Sequence, residues 1–359
     1  MTVSTAAQLF GSAELRARAK TQPQGITLGD LLDLELPERR VLLSPWLRTG
    51  ESAMVWAPTG IGKSWFALSV ALAVAGGGEV LGWKASAPAR VLYIDGEMNA
   101  AEVQDRMRLL MMGAVEGLDP AAARRNLVIQ CRQQQELTVA FWDMLNSVDH
   151  DALIAELTRR RFDLVLFDNF TTLSDSLADE NSAGAMKPAL TLLLRLKAAQ
   201  IGTVLVHHAN KAGDNYRGST AIAATFEVIL GLRGTDDPRE DRRNSAGFII
   251  EPDKYRARRD DTMGKRKVFL VGDRWETDGL EDVQAERVVA AVRQRLYTSQ
   301  AEVAEAIGLS PATVSRAMRR AIALAMITER EREDCFKAAA VLREEDPEGD
   351  LGEPVNPDF

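Results

Sequence analysis

Four side chains in this sequence stand in an order suited to chemistry on a phosphate anhydride. Lys63 and Ser64 follow a glycine-rich loop, Glu97 lies beyond one apolar run, and Asp168 closes another. The loop reads Ala57-Pro58-Thr59-Gly60-Ile61-Gly62-Lys63-Ser64, followed by Trp65, and fits the looser phosphate-loop pattern in which alanine precedes four free residues and Gly-Lys-Ser. Gly60 and Gly62 let backbone N–H groups turn inward around phosphate oxygens, and a helix starting near Lys63 aims its positive end at them. Lys63 then bridges the terminal phosphates and Ser64 ligates Mg2+. The stretch from Pro58 to Trp65 is therefore the expected nucleotide site, with ATP and Mg2+ as its expected occupants. An apolar run, Ala53 to Trp56, precedes it and an unbroken helical pattern, Trp65 to Val74, follows, as such a loop requires.

The two carboxylates divide the remaining work. Asp168 ends the apolar run Leu164 to Phe167, the layout of a Walker B aspartate that holds Mg2+ through water, so Ser64 and Asp168 are the expected metal residues. Glu97 follows the run Val91 to Ile94 in the segment VLYIDGEM. A carboxylate at the carboxyl end of a neighbouring parallel strand can reach and orient a water in line with the γ-phosphate. Asp95 is the competing base.

These residues need a sheet to bring them together, and the sequence supplies one. Short β-rich runs without polar alternation recur at Arg90–Ile94, Leu127–Cys131, Leu164–Phe167, Thr203–Val206, Val228–Leu232, Phe248–Ile250 and Val268–Val271. Helical patterns at Ala100–Met112, Asp149–Arg161 and Ala185–Gln200 separate the first of them, which predicts an α/β domain with a mostly parallel sheet and an antiparallel edge. This domain is expected over residues 26–278, after a polar N-terminal arm or linker, 1–25. A second unit is expected over 282–340. There Gly308 suits a turn, Ser310 an N-cap and Pro311 a first helical position, giving a helix-turn-helix whose wing strand would be TEREREDCFK. Its second helix offers Ser315, Arg316, Arg319 and Arg320 to duplex DNA. An acidic tail, 341–359, ends in Asp358-Phe359 and is expected to be a disordered arm that recruits replication proteins.

Composition narrows the function classes. The net charge of −8 argues against coating nucleic acid by bulk attraction, so any polyanion contact must come from local clusters. Cys131 and Cys335 lie far apart, which suggests neither a zinc site nor a disulfide framework. No apolar run is long enough to span a membrane and the N-terminus lacks a signal-peptide layout, so the expectation is a soluble protein of the cytoplasm with no membrane partner.

With these residues in view, the chain resembles the RecA-like P-loop ATPases, which carry the glutamate at the end of the second strand. Glu97, Met98, Arg106 and Met107 resemble the E-M-x7-R-M of DnaB-type replicative helicases. Glu180-Asn181-Ser182-Ala183-Gly184, His207-His208 and Arg217-Gly218-Ser219 are similar to the plasmid RepA hexameric helicases and related phage ATPases. The resemblance spans roughly Ile26 to Trp275. It implies that His208 senses the γ-phosphate, and that Lys254 and Arg256 are inserted into a neighbouring subunit's site. It further implies that Lys211, Tyr216 and Arg217 face single-stranded DNA in a central channel. The chain departs from the family in the other channel loop, where Asp175, Asp179 and Glu180 occur with no basic residue before Lys187. The resulting expectation is a ring-forming, in family terms hexameric, ATP-dependent DNA helicase or translocase of a plasmid- or phage-type replication system. The alternatives are a RecA-like recombination or repair ATPase and an ATP-switched DNA-binding regulator.

Overall fold

The computed structural model describes residues 25–36, 38–136, 138–174, 186–210, 213, 215–217, 220–235, 246–257, 260–278 and 280–345. The chain divides into two units, Met1–Glu38 and Arg39–Phe359. In the first, the described residues hold one short helix, α1 (Leu28–Leu32), whose N-cap Thr27 accepts from the amide of Asp30.

The second unit opens with a ribbon of β1 (Val41–Leu43) and β2 (Leu47–Arg48), after which β3 (Ser52–Ala57) runs into α2 (Lys63–Gly76). A second ribbon, β4 (Gly78–Val80) with β5 (Trp83–Ala85), leads to β6 (Val91–Asp95), α3 (Ala100–Gly113), α4 (Pro120–Asn126) and β7 (Leu127–Cys131). Then come α5 (Ser147–Arg159), β8 (Leu164–Asp168), α6 (Lys187–Ala198), β9 (Gly202–His208) and β10 (Val228–Arg233). The strands β11 (Gly247–Tyr255), β12 (Arg266–Val271) and β13 (Arg274–Asp278) follow one another as a meander.

Among the described residues, nine strands form one sheet in the order β13-β12-β11-β10-β3-β9-β8-β6-β7. It is parallel from β10 through β7 and antiparallel from β10 out to β13. The expected α/β core with an antiparallel edge is present. Side-chain alternation along β3 splits the core into two layers. Ala53, Val55 and Ala57 face the layer that holds α2, whereas Met54 and Trp56 face the one that holds Leu192 and Leu196 of α6. The α2 sequence KSWFALSVALAVAG is apolar nearly all round, and a helix of that kind has to be enclosed on every side. Its residues from Phe66 to Gly76 are buried, which fixes the helix that follows the phosphate loop.

Beyond β13, four helices follow: α7 (Leu280–Arg293), α8 (Gln300–Ala306), α9 (Pro311–Ala323) and α10 (Glu329–Glu345). The expected turn chemistry is present, with Gly308 at φ 68° and Ser310 capping α9 by accepting from the amide of Thr313. The expected wing is absent from its segment, because residues 329–337 are the first turns of α10. Cys335 and Ala339 are buried while Lys337 between them is exposed, which suits one face of a helix and not a strand, where all three would share a side. The helix also continues through residues 341–345, where Arg343 pairs with Glu302 at 2.8 Å, so this stretch is not part of a free tail. Residues 346–359, with Phe359, lie outside the described residues, as do 175–185, Lys211 and the segment 1–24. Among the described residues no helix is long and apolar enough to cross a membrane.

Candidate functional site

Parallel strands release their side chains at one edge, and here β3, β9, β8 and β6 lie side by side in that order. Their carboxyl ends carry the phosphate loop, His208, Asp168 and the turn to Glu97. A cleft of about 530 Å3 is lined by Lys63, Ser64, Glu97, Asp168 and His208 together with Thr59, Gly60, Gly62 and Trp65. Pro58 and Ile61 complete the loop without lining it. One continuous site thus joins segments more than a hundred residues apart.

The loop holds its backbone open. Gly60 and Gly62 sit at φ +85° and +116°, conformations that favour glycine. A Cβ at Gly62 would meet that of Ala246 at 2.5 Å. The N-terminus of α2 has Gly62 as its cap and no side-chain hydrogen bond, so its first amides remain available to an anion. Lys63 is buried and its ammonium bonds to the carbonyl oxygens of Pro58 at 3.0 Å and Ala57 at 3.4 Å. Burial lowers its pKa, opposed by Asp168 and Glu97. An ammonium has three N–H donors, so the two carbonyls fix it and leave one for a phosphate oxygen.

Asp168 is buried and accepts from the hydroxyl of Tyr93 at 2.5 Å and from Ser64. Burial raises its pKa, while Tyr93, Ser64 and Lys63 pull it down. A serine hydroxyl against a buried carboxylate is a hard oxygen set, and it fits Mg2+ held with phosphate and water.

Glu97 and Asp95 have different jobs. Asp95 is 1% exposed and does not line the cleft; its Oδ1 accepts from the amides of Glu97 at 2.9 Å and Met98 at 2.6 Å. Burial, then the neighbouring Asp168, pushes its carboxyl up to about 6. Asp95 therefore shapes the turn, and Glu97 is the carboxylate that reaches the cleft. The side chain of Asn169 donates to Glu97 Oε2 at 2.6 Å, and Gln133 donates to the Glu97 carbonyl at 2.9 Å. Asn169 is itself fixed, since its Oδ1 accepts from the amide of Thr172 at 3.2 Å.

His208 lines the cleft, and burial, then Lys63, lowers its pKa, so at neutral pH it is an uncharged ring with one N–H to give. Its neighbour His207 is buried, with a pKa pushed down to about 4 by desolvation, and its Nε2 lies 2.8 Å from the carbonyl of Arg217. A carbonyl only accepts, so that nitrogen carries the proton. The Arg217 amide donates in turn to the His208 carbonyl at 2.9 Å, and Ala209 bridges Tyr216.

Lys254 and Arg256 stand elsewhere. Lys254 donates to the Ala223 carbonyl at 2.6 Å and Arg256 to that of Ala224 at 3.2 Å, and neither lines the phosphate cleft. Lys254 instead borders a hollow of about 370 Å3 with Tyr216, Arg233 and Asp253. On α9, Ser315, Arg316, Arg319 and Arg320 are exposed, and Arg316 pairs with Glu116 at 2.6 Å.

Four participants escaped sequence reasoning, Gln133 among them. Asn169 directly follows Asp168, so its position was available as a signal. Tyr93 looked like one more apolar strand residue. Arg106, whose guanidinium lies 4.8 Å from the centroid of the Trp65 ring and bonds Glu102, was visible only as a motif letter.

A family model described as an AAA domain matches residues 16–214. Among solved structures, a KaiC-like protein from the hyperthermophilic archaeon Pyrococcus horikoshii is similar at 14% identity, over 66% of this chain and 93% of that one, with a TM-score of 0.47. A RadB recombinase is similar at 14% identity, over 64% and 91%, with a TM-score of 0.43. The flagellar accessory protein FlaH of Methanocaldococcus jannaschii is similar at 11% identity, over 61% and 85%, with a TM-score of 0.40. Comparison with curated proteins gives no match.

Proposed function

The chain belongs to the AAA domain family, and on that premise we propose that it is an ATP-hydrolysing DNA motor of the ring-forming helicase or translocase type. The observation that carries this reading is the bonding at the end of β9. His208 faces the phosphate cleft while its own carbonyl and the His207 ring hold the backbone N–H and C=O of Arg217, at 2.9 and 2.8 Å. A change at the γ-phosphate that moves His208 moves Tyr216 and Arg217 with it. Those two residues offer a stacking ring and a phosphate contact to single-stranded DNA.

In the reaction Lys63 and the open amides of α2 hold the phosphates of the substrate ATP. Ser64 and Asp168 would hold Mg2+, which when bound neutralises charge on the β- and γ-phosphates. Glu97 takes the proton of the attacking water, with Asn169 fixing which oxygen points to it. His208 donates its N–H toward the γ-phosphate. On this reading Lys254 and Arg256, which do not line their own cleft, serve the site of a neighbouring copy as the family resemblance implies, where a guanidinium offsets charge spreading over the transferred group. Assembly is then part of catalysis, and a homo-oligomeric ring, expected to be a hexamer, is the working form.

The seating of α9 on the core favours a second reading, a DNA-binding regulator that uses ATP as an assembly switch. Turnover separates the two: a motor hydrolyses many ATP per chain and faster with single-stranded DNA, whereas a switch hydrolyses about one. The chemical assignment is tested by Glu97→Gln. This variant should bind ATP as the wild type does and lose turnover by at least about 100-fold. Turnover within a few-fold of wild type would remove Glu97 from the base role.

A further inference from the structure

The helix-turn-helix of α8 and α9 does not stand clear of the ATPase core. Two carboxylates are presented to it side by side, because Glu79 on β4 and Glu116 after α3 exchange both backbone hydrogen bonds at 2.8 Å. The first turn of α9 sits on them. Glu79 accepts from the Ser310 amide at 3.2 Å and from the Thr313 hydroxyl at 3.1 Å, and Glu116 accepts from the Ser310 hydroxyl at 3.1 Å and from Arg316 at 2.6 Å. Lys84 of β5 adds a bond to the Leu309 carbonyl at 3.0 Å. Glu79 and Thr313 are buried by the contact.

These donors have a second natural use. In a helix-turn-helix the N-terminal turn of the second helix enters the major groove, and helix-end amides, Ser and Thr hydroxyls and Arg are the groups that hold backbone phosphates. Here the Ser310 amide and hydroxyl, the Thr313 hydroxyl and Arg316 are all turned to carboxylates of the core. The bundle has an apolar core of its own, formed by Ala285, Val288, Val303, Val314, Met318 and Cys335, so its release would not expose the ATPase core's interior. Holding the contact closed costs desolvation, and burial pushes the Glu79 carboxyl up. The exposed Arg316–Glu116 pair is of the kind that contributes little. The closed state is thus held by a modest margin.

We infer that this contact is an autoinhibitory latch in which Glu79 and Glu116 stand where DNA phosphates would, so that duplex DNA and the ATPase core compete for the first turn of α9. The inference rests on the reading of this unit as a reader of duplex DNA, and it is independent of whether the motor unwinds.

The test is the affinity of the full-length chain for a fluorescent duplex at low salt, read by anisotropy. Removing the latch raises the competent fraction, so Glu79→Gln with Glu116→Gln should bind about tenfold tighter or more. The charge-matched control Glu329→Gln with Glu333→Gln, on the exposed face of α10, should stay within about twofold. Adding Arg316→Ala to the first pair should cancel the gain. Should the buried substitution disturb folding, Glu116→Gln alone decides, with a gain above the control expected. Affinity no higher than the control in the unlatched variants would overturn the latch and leave the helix-turn-helix as a fixed docking module. ATP turnover without DNA should be unchanged throughout, because neither glutamate lines the cleft. A failure of the latch is thereby distinguishable from a failure of the ATPase reading.

Discussion

Burial separates the roles of Asp95 and Glu97, two residues apart: Asp95 is enclosed and captures the amides of the turn, whereas Glu97 reaches the cleft. The same burial makes a pH prediction. Asp95 is raised from an ordinary value of 3.8 to about 6 in the fold, so its ionised form is disfavoured there. Its contribution to stability is full below pH 4 and is lost as pH rises through 6. Asp95→Asn keeps an acceptor for the two amides and removes that loss. The nucleotide-free variant should therefore be more stable than wild type at pH 8 by about 1–3 kcal/mol, with the advantage vanishing at pH 4. Denaturant melts at the two pH values check this, and an advantage of equal size at both would mean that charge is not the cause. Lys63, Ser64, Asp168 and Glu97 were legible because each has a fixed place relative to a strand end. Asn169 and Gln133 were not, since their role is a hydrogen bond set by tertiary packing.

At the scale of elements, the apolar runs identified the six parallel strands and the first two of the antiparallel edge, because strands buried on both faces need no polar alternation. The missed strands are β1, β2, β4 and β5, each of two or three residues, and β13, whose sequence RWETD looks like surface. The wing expectation fails because the EREREDCFK segment is polar enough for either element, and burial of Cys335 and Ala339 with Lys337 exposed between them decides for a helix. Within the phosphate loop the two glycines should respond differently to a methyl group. Gly62→Ala forces a Cβ to 2.5 Å from that of Ala246 at φ +116°, so the loop must shift and nucleotide binding should fall at least tenfold. Gly60→Ala meets no atom within 4 Å and carries only the cost of its positive φ, so its apo fold should lose about 1 kcal/mol. Nucleotide titration beside thermal melts reads both. Equal loss of binding and stability in the two would contradict the contact with Ala246.

For the whole molecule, the proposed service of Lys254 and Arg256 to a neighbouring copy's cleft would make assembly a catalytic requirement. Mixing Arg256→Ala subunits with Lys63→Ala subunits should recover part of the hydrolysis that each lacks, because a mixed interface can join an intact loop to an intact finger. No recovery at any ratio would place the finger in cis or nowhere. On the proposed reading, ATP turnover at this cleft moves single-stranded DNA past Tyr216 and Arg217, which a strand-displacement assay reads without intermediate steps. A forked duplex with one labelled strand is given to the full-length protein and ATP, and release of that strand is followed in time. Release should require ATP, be absent in Glu97→Gln and be slowed by Tyr216→Ala with Arg217→Ala. ATP turnover of normal rate with no strand released on either polarity of fork would contradict that reading.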